Sequence, residues 1–372
     1  MKVLRIVLVV LGVLVVGFGA FIGYLQLNWT RIPDGVTVEN TGAASNNPKV
    51  AKSLKAGETY TALTYNIGFG AYTPDYTFFM DTGVMKDGTE MRGEHSTAVS
   101  EESVRACTDG ALQTAKTVAS GSPADFMLFQ EVDEDSTRSY HVNQRAALTD
   151  AFPTCEAFYA ENFHSGFLPY PLHDPHGRVR AGLLTLSDAS AEATRRSYPI
   201  DESFPWRFFD LDRCFCALRI PVENGRELVL INNHMSAYDK GGTYRAQQLK
   251  LLCGVMADEL SAGNYVIVGG DWNHALCDSE DLYESDQLVP EWVSTFDERD
   301  LPNGFSVVRA SNLDDVASCR GDDIPYELGH TYRVTVDGFV VSSNVRATAS
   351  NIDTEFAYSD HNPVLLSFEL VG

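Results

Sequence analysis

The sequence predicts a layered fold of the α/β or α+β class that follows a single membrane-spanning helix. Short apolar, β-branched runs outnumber the helical patterns, and helices separate some of them, which is typical of buried sheets covered by helices. We predict two helices, 100–119 and 244–260, and strands at 60–67, 125–129, 181–187, 213–220, 227–233, 265–268, 333–341 and 364–370.

The N-terminus predicts a membrane anchor. Lys2 and Arg5 precede a run from Ile6 to Leu27 that contains no charge and one strongly polar residue, Gln26. This length spans a hydrocarbon core as a helix, and the positive flank places the N-terminus inside and the remainder outside. A cleaved signal peptide is the alternative, although no convincing small-x-small cleavage site follows the run.

This interpretation divides the chain into four parts and places it in the cell membrane as a single-pass protein with its large domain on the extracytoplasmic side. The region after the anchor is rich in Asn, Gly, Ala, Ser and Lys without periodicity, which favours a linker. We therefore predict a cytoplasmic N-terminus at 1–5, a transmembrane segment at 6–27, a juxtamembrane linker at 28–57 and one large domain at 58–372.

Charge and cysteine content exclude some classes of protein. The formal net charge of −23 disfavours a nonspecific nucleic-acid binder, because a polyanion would be repelled, but it is compatible with recruitment of divalent cations. The seven cysteines form no CxxC pair, which argues against a disulfide scaffold and leaves one or two bridges open. Nothing in the sequence predicts a protein partner.

Polar residues stand where the predicted strands end, and such positions usually present the chemistry of an α/β scaffold. Taken singly, each is also explained by a turn, a cap or a structural histidine. Asp271 and Asn273 share a direction if their segment stays extended, whereas the adjacent Asp360 and His361 point to opposite sides. In chain order the signatures are Asn66, Gln130-Glu131, Asn232-x-His234, Gly270-Asp271-x-Asn273, Asp337 and Ser359-Asp360-His361.

These residue types suit metal-assisted and acid–base chemistry. The Glu131 carboxylate and the Asn66 amide oxygen are hard ligands of the kind that Mg²⁺ or Ca²⁺ prefers. His234 is suited to hydrogen bonding with a phosphoryl oxygen or to protonation of a leaving group. Asp337 is a candidate to orient His361, since a catalytic histidine needs a partner that fixes its tautomer.

As an ordered set, these motifs resemble the endonuclease/exonuclease/phosphatase superfamily, which includes DNase I-like nucleases, abasic-site endonucleases, inositol polyphosphate 5-phosphatases and neutral sphingomyelinases. The resemblance runs from about Thr59 to Leu370. It implies a DNase I-like four-layer sandwich, in which helices flank two packed mixed β-sheets and the site lies at one edge of the sandwich. It also implies metal-dependent hydrolysis of a phosphoester, with Mg²⁺ as the cofactor and Mn²⁺ or Ca²⁺ as alternatives.

The resemblance also implies the roles of individual residues. Asn66 and Glu131 would hold the metal with Asp360 close by, while Asp271 and Asn273 would position the attacking water and the scissile phosphate. His361, oriented by Asp337, would be the general base or a phosphate ligand. The second histidine, which would stabilise the phosphoryl group or assist the leaving group, is His234.

Substrate choice is expected to lie in loops at the same sheet edge. The aromatic insertion at 71–100 follows Asn66 directly, so we expect it to border the site. Candidate substrate contacts are Arg138, Tyr140, His141 and Tyr238. We expect a membrane-tethered phosphodiesterase or phosphatase that acts on a lipid headgroup or small phosphoester. An extracytoplasmic nuclease and a non-catalytic binding module of the same fold are the alternatives.

Overall fold

The computed structural model describes residues 2–42, 50, 52–200, 203, 204, 207, 211–237, 239 and 242–372. Its helices are α1 (Lys2–Asn28), α2 (Glu101–Thr117), α3 (Gln144–Ala151) and α4 (Thr243–Ser261). Helix α1 is long and apolar enough to cross a membrane, and a signal sequence would fit the same description. Helix α2 begins at Ser100, whose side chain accepts a hydrogen bond from the Ser103 N–H and so caps the first turn.

The strands of the first half of the chain are β1 (Val36–Val38), β2 (Thr59–Asn66), β3 (Thr82–Val84), β4 (Glu90–Arg92), β5 (Phe126–Asp133), β6 (Glu156–Leu168), β7 (Gly177–Ser187) and β8 (Glu192–Ser197). Those of the second half are β9 (Cys214–Pro221), β10 (Glu227–His234), β11 (Tyr265–Asp271), β12 (Phe305–Val307), β13 (Cys319–Arg320), β14 (Arg333–Val334), β15 (Asp337–Ser342), β16 (Val345–Asn351) and β17 (Val364–Leu370).

Two large mixed sheets organise the described residues. One has the order β1-β8-β9-β10-β11-β15-β12, and the other has the order β16-β17-β2-β5-β7-β6. Each contains one central parallel pair, β10 with β11 and β2 with β5, and antiparallel neighbours surround both pairs. Two small two-stranded sheets, β3-β4 and β13-β14, lie outside them.

The apolar core forms three layers that hold these sheets and helices together. The main cluster lies between the two sheets and includes Leu128, Leu230 and Phe339. A second cluster packs α2 and α3 against the outer face of the β2-containing sheet, and a third packs α4 against the β10-containing sheet. The resulting order of helix, sheet, sheet and helix confirms the predicted four-layer sandwich of DNase I-like type.

Strand direction brings the predicted site residues to one edge of the sandwich. Because β10 and β11 are parallel and in register, His234 lies beside Asp271 at their carboxyl ends. Strand β15 runs antiparallel to β11 and begins there, so Asp337 lies opposite Asp271. In the other sheet, parallel pairing of β2 and β5 sets Asn66 beside Gln130.

Some predicted boundaries need correction. The strand predicted at 333–341 is two strands, because side-chain oxygens of Ser279 and Ser318 accept the N–H groups of Thr335 and Val336 and interrupt the ladder. Part of the predicted linker is packed on the domain, since β1 pairs with β8. All seven cysteines are free, and most are buried.

Candidate active site

Glu131 lies on a bulge near the end of β5. The pairing of β5 with β7 shifts register between Phe129 and Val132, and Glu131 adopts a φ of 53°, which is uncommon for a residue other than glycine. A bulge of this kind turns a side chain out of the regular pleat. Such strained positions cluster at functional sites.

Three carboxylates surround one small cleft at the strand ends. The amide nitrogen of Asn66 lies 3.4 Å from Glu131 Oε1 and 3.0 Å from Asp271 Oδ2. His361 links the third carboxylate to the group, because its Nε2 lies 3.8 Å from Asp271 Oδ2 and 3.7 Å from Asp360 Oδ2. Burial raises the pKa of Asp271 to about 6, and it also raises the pKa of Glu131.

A fourth carboxylate orients the histidine of this cleft. Asp337 Oδ2 lies 2.7 Å from His361 Nδ1, and Ser318 Oγ donates to the same oxygen at 2.8 Å. Burial alone lowers the pKa of His361, but the nearby Asp337, Cys319 and Asp360 raise it well above its usual range. The ring is therefore charged at neutral pH, with Nδ1–H committed to Asp337 and Nε2 directed at the cleft.

The second predicted histidine reaches the same carboxylates from the other sheet. His234 Nε2 lies 3.4 Å from Asp271 Oδ2 and 3.9 Å from Glu131 Oε1. Its pKa falls well below the usual range, chiefly because the ring is buried, and the positive charges of Arg213 and His361 lower it further. His234 is therefore the neutral histidine of the site and His361 the charged one.

Two details of the site differ from expectation. Asn66 presents its amide nitrogen to the carboxylates while its oxygen accepts the Gly68 N–H, the reverse of the orientation expected for a metal ligand. Asp360 and His361 do not diverge, since both face the cleft with Oδ2 and Nε2 3.7 Å apart. Asp360 lies in a bend before β17, and His361 makes an isolated antiparallel bridge with Cys319, so the two residues do not form a regular strand.

Asp271 and Asn273 also depart from a simple extended segment. Strand β11 ends at Asp271, and Asn273 has a φ of 49°. The Asn273 N–H donates to Asp271 Oδ1 at 2.9 Å, and its side-chain amide donates to the carbonyl of Met235 at 2.9 Å. The turn therefore fixes the Asp271 carboxylate toward His234 and Asn66.

The donor set fits a divalent cation. Among the described residues, His234 and His361 are the basic side chains closest to the carboxylates of Glu131, Asp271 and Asp360, while Arg138 and Arg213 act on Glu131 from farther away. One atom each from Asp271, Asp337 and His361 lies within 4.8 Å of the others, and the carboxylate oxygens of this group are the ones that can hold a metal ion while His361 is protonated. Several carboxylate oxygens close together are the ligands that hard divalent cations prefer.

A buried polar network joins the two sheets directly beneath the site. Gln130 donates to Asn232 Oδ1 at 2.8 Å, while Asn232 donates to the carbonyls of Phe129 and Leu184 at 3.2 Å each. Both amides are fully buried. Glu131 follows Gln130, and His234 lies two residues after Asn232, so the network fixes the two sides of the site relative to each other. Gln130 and Asn232 are 102 residues apart, and the sequence alone therefore did not predict their contact.

The aromatic insertion borders the site, as expected. Gly68, with a φ of 51°, leaves no room for a side chain, because a Cβ there would lie 2.8 Å from Asp360 Oδ1 and 2.5 Å from the ring of Tyr72. Tyr72 is therefore next to Asp360. Burial raises the pKa of Tyr72 well above its usual range, and the charges of Asp360 and Glu131 raise it further.

The predicted substrate contacts have different surroundings. Arg138 is 6% exposed, pairs with Asp133 and stacks 3.9 Å over the Phe69 ring, so it supports the bulged strand rather than facing solvent. Tyr140 and His141 are exposed on the loop surface, where the His141 Nδ1 lies 2.6 Å from Asp135. Tyr238 lies outside the described residues.

Comparison with known proteins agrees with this architecture. The sequence profile of the Endonuclease/Exonuclease/phosphatase family matches residues 63–361, from β2 to the His361 motif. The chain therefore belongs to this family and is a phosphoester-hydrolysing enzyme, and divalent-metal dependence fits the family. Comparison with curated proteins gives no match.

Solved structures show the same fold. Truncated Caenorhabditis elegans TDP2 has a TM-score of 0.51 at 13% identity, covering 84% of this chain and 99% of its own. An endonuclease/exonuclease/phosphatase from Beutenbergia cavernae DSM 12333 has a TM-score of 0.53 at 13% identity, covering 84% and 72%. ANGEL2, a 2',3'-cyclic phosphatase, has a TM-score of 0.50 at 14% identity, covering 84% and 96%. At these identities the likeness is one of fold.

Proposed function

We propose that this chain is a divalent-metal-dependent phosphodiesterase or phosphatase that acts outside the cytoplasm on a lipid headgroup or another small phosphoester. The observation that carries the proposal is the convergence of the carboxylates of Glu131, Asp271 and Asp360 with the His361–Asp337 pair at one sheet edge. Such a site combines a cation-binding face with an oriented proton donor, as phosphoryl transfer requires.

We assign the metal to Glu131 and Asp360. Their side chains are 26% and 12% exposed, whereas those of Asp271 and Asp337 are 2% and 1% exposed, so a cation entering from solvent meets the first pair. When bound, Mg²⁺ offsets the charge that develops on the phosphoryl oxygens, and Mn²⁺ or Ca²⁺ are the substitutes that this oxygen-rich set would accept. Asn66 would orient the carboxylates of Glu131 and Asp271 through its amide nitrogen.

The histidines take different roles because their charges differ. His361, kept protonated by Asp337, would donate a hydrogen bond from Nε2 to a phosphoryl oxygen. Asp271, with a pKa of about 6, is ionised in most molecules at neutral pH and would orient the attacking water or accept its proton. Asn273 would support it, and the neutral His234 would assist at the phosphoryl group or the leaving group.

The proposed location follows from α1. Its apolar length, together with Lys2 and Arg5 at its N-terminal end, favours a single-pass anchor with the domain outside the cytoplasm. The net charge of −23 favours a small or membrane-bound phosphoester over a nucleic acid. The extracytoplasmic nuclease is the second candidate.

A substrate panel tests this proposal with the full chain in detergent micelles. The substrates are a chromogenic bis-phosphodiester, double-stranded DNA, sphingomyelin and glycerophospholipids, each assayed with Mg²⁺ and with excess EDTA. We expect hydrolysis of the chromogenic ester and of at least one phospholipid, both abolished by EDTA. Cleavage of DNA alone would establish the nuclease instead, and full activity in EDTA would exclude the metal mechanism.

A further inference from the structure

Several exposed apolar side chains lie on segments that contact the insertion beside the candidate active site. They come from three segments: the insertion, the loop after β5 and the hairpin that joins β6 to β7. Single exposed apolar residues are normal on a soluble protein, whereas a group of them marks an interaction surface. We call this group the rim patch; its members, each 42–87% exposed, are Met80, Val99, Tyr140, Phe167, Tyr170 and Leu172.

Hydrogen bonds hold the three segments together as one surface. Asp174 of the hairpin accepts from the Ser96 N–H and the Thr97 hydroxyl, both at 2.8 Å. The Tyr140 hydroxyl of the β5 loop donates to the carbonyl of Val99 at 3.4 Å. The patch is therefore a fixed part of the fold.

A row of aromatic rings connects the rim patch to the candidate metal ligands. The Tyr170 ring packs on Phe79 at 5.5 Å, and Phe79 packs on Phe78 at 4.9 Å. Phe78 lies 6.0 Å from Tyr72, which is the ring next to Asp360. The patch and the metal-binding cleft thus belong to the same side of the domain.

Helix α1 ends against the same hairpin. The Asn28 side chain packs on Gly166, where an added Cβ would lie 2.7 Å from Asn28 Oδ1. One turn earlier, Leu25 is 7% exposed, in contrast to the apolar side chains from Val3 to Phe21, which are exposed. If α1 spans a bilayer, its end at Asn28 puts Phe167 at the level of the lipid headgroups, where amphipathic aromatic side chains concentrate.

We propose that the rim patch docks on the lipid surface of the membrane that α1 enters, so that the active site faces a phosphoester carried by a lipid of that membrane. This inference rests on the proposed function and deepens it, because it selects a bilayer lipid over a soluble ester. The net charge of −23 disfavours a strongly anionic surface, so the surface is a zwitterionic one. Insertion of a few aromatic and aliphatic side chains adds to the attachment that α1 provides.

The test uses the full chain reconstituted in phosphatidylcholine vesicles with brominated acyl chains. Tryptophan is introduced as Leu172→Trp, because Leu172 is 87% exposed, and as a matched control at Val371→Trp. Val371 is 38% exposed and follows the end of β17 that points away from the site. We expect bromine to quench the fluorescence of the tryptophan introduced at position 172 and not that of the one at 371. Equal quenching at the two positions would overturn the proposal and indicate that the patch faces solvent or a protein partner.

A second readout separates this inference from the proposed function. Leu172→Asp should lower the ratio of activity on bilayer phospholipid to activity on the soluble chromogenic ester by about tenfold, the factor expected for losing one buried leucine. Val371→Asp should leave that ratio unchanged. An unchanged ratio in Leu172→Asp would contradict the docking surface. Absence of hydrolysis of the soluble ester by the parent chain would instead contradict the proposed function, while the quenching result would still decide on docking.

Discussion

Asp337 Oδ2 lies 2.7 Å from Nδ1 of His361, and both side chains are buried at the edge where the two sheets end. The contact fixes the histidine tautomer and ring plane, and it stabilises the imidazolium. Because Nδ1 is committed, Nε2 is the atom that faces Asp271, Asp360 and any substrate. The proposed chemistry depends on this pair more than on any other contact.

Replacing the orienting carboxylate should therefore impair turnover. We expect Asp337→Asn to lower kcat by about a hundredfold, with a smaller effect on KM, because the group that it orients acts in the transition state. Loss of the negative charge also lowers the pKa of His361. If the imidazolium is the active form, activity in the variant should decline at a lower pH than in the parent. A pH–rate profile checks this, and an unchanged alkaline limb would contradict it.

Ser318→Ala provides the matched comparison for that variant. Its hydroxyl donates to the same Asp337 oxygen at 2.8 Å, so its loss weakens the orientation while the charge remains. We expect a smaller fall in kcat and an alkaline limb close to that of the parent.

Metal binding should be visible in stability. Burial raises the pKa of Glu131, as does the charge of Asp360. Ionised Glu131 therefore destabilises the folded chain at pH 8 when no metal is bound. In EDTA, Glu131→Gln should therefore have a higher melting temperature than the parent. With Mg²⁺ the order should reverse, because the parent gains binding free energy and the variant loses a ligand. Thermal melts of both proteins with and without Mg²⁺ test this, and equal metal-induced shifts would remove Glu131 from the ligand set.

The polar network between the sheets should behave as a coupled pair. Gln130→Leu and Asn232→Leu each leave the other buried amide without its partner at 2.8 Å, at a cost of about 1–3 kcal/mol. The double variant should lose less than the sum of the two, by about 0.5–3 kcal/mol. Denaturant unfolding of the parent and three variants measures the coupling. Strict additivity would mean that the network does not join the two sheets energetically.

His176 should account for part of the loss of folding stability at acidic pH. It lies under the insertion, between the rings of Phe78 and Phe79. Burial lowers its pKa to about 3 in the folded chain, against about 6.5 when unfolded. Between these values the unfolded chain binds more protons, so stability is lost as the pH falls from about 6.5 toward 3. His176→Phe keeps an aromatic ring there and should retain about 2 kcal/mol more stability at pH 4.5 than the parent, relative to pH 7.5.

Melting temperatures across that pH range test this prediction. The exposed His173 in the same loop gives the control, since His173→Phe should leave the pH dependence of melting unchanged. Parallel melting curves for the parent and His176→Phe would contradict the prediction.

The sequence predicted those parts of the fold that rest on local pattern. The run at 364–370 alternates in burial and is a strand with the predicted bounds. The β2, β10 and β11 runs are strongly apolar and were equally clear. Strand β6 was missed because its sequence mixes polar residues and glycine among the apolar ones, and its pairing with β7 comes from tertiary structure.

The same distinction applies to the site. The order of motifs predicted which residues would converge, because strand ends in a layered fold meet at one edge. It did not predict the bulge at Glu131, the reversed amide of Asn66 or the contact between Gln130 and Asn232. Each of these depends on neighbours that are distant in sequence or on the balance of charge in the assembled cleft.

The most direct test of the central claim is hydrolysis of a chromogenic bis-phosphodiester by the full chain and by His361→Ala, each with Mg²⁺ and with EDTA. We expect activity for the parent with Mg²⁺, none in EDTA, and a loss of about a thousandfold in His361→Ala, the range expected for a positioned proton donor. Parental activity in His361→Ala, or activity that survives EDTA, would contradict the claim that this cleft is a metal-dependent phosphoesterase site.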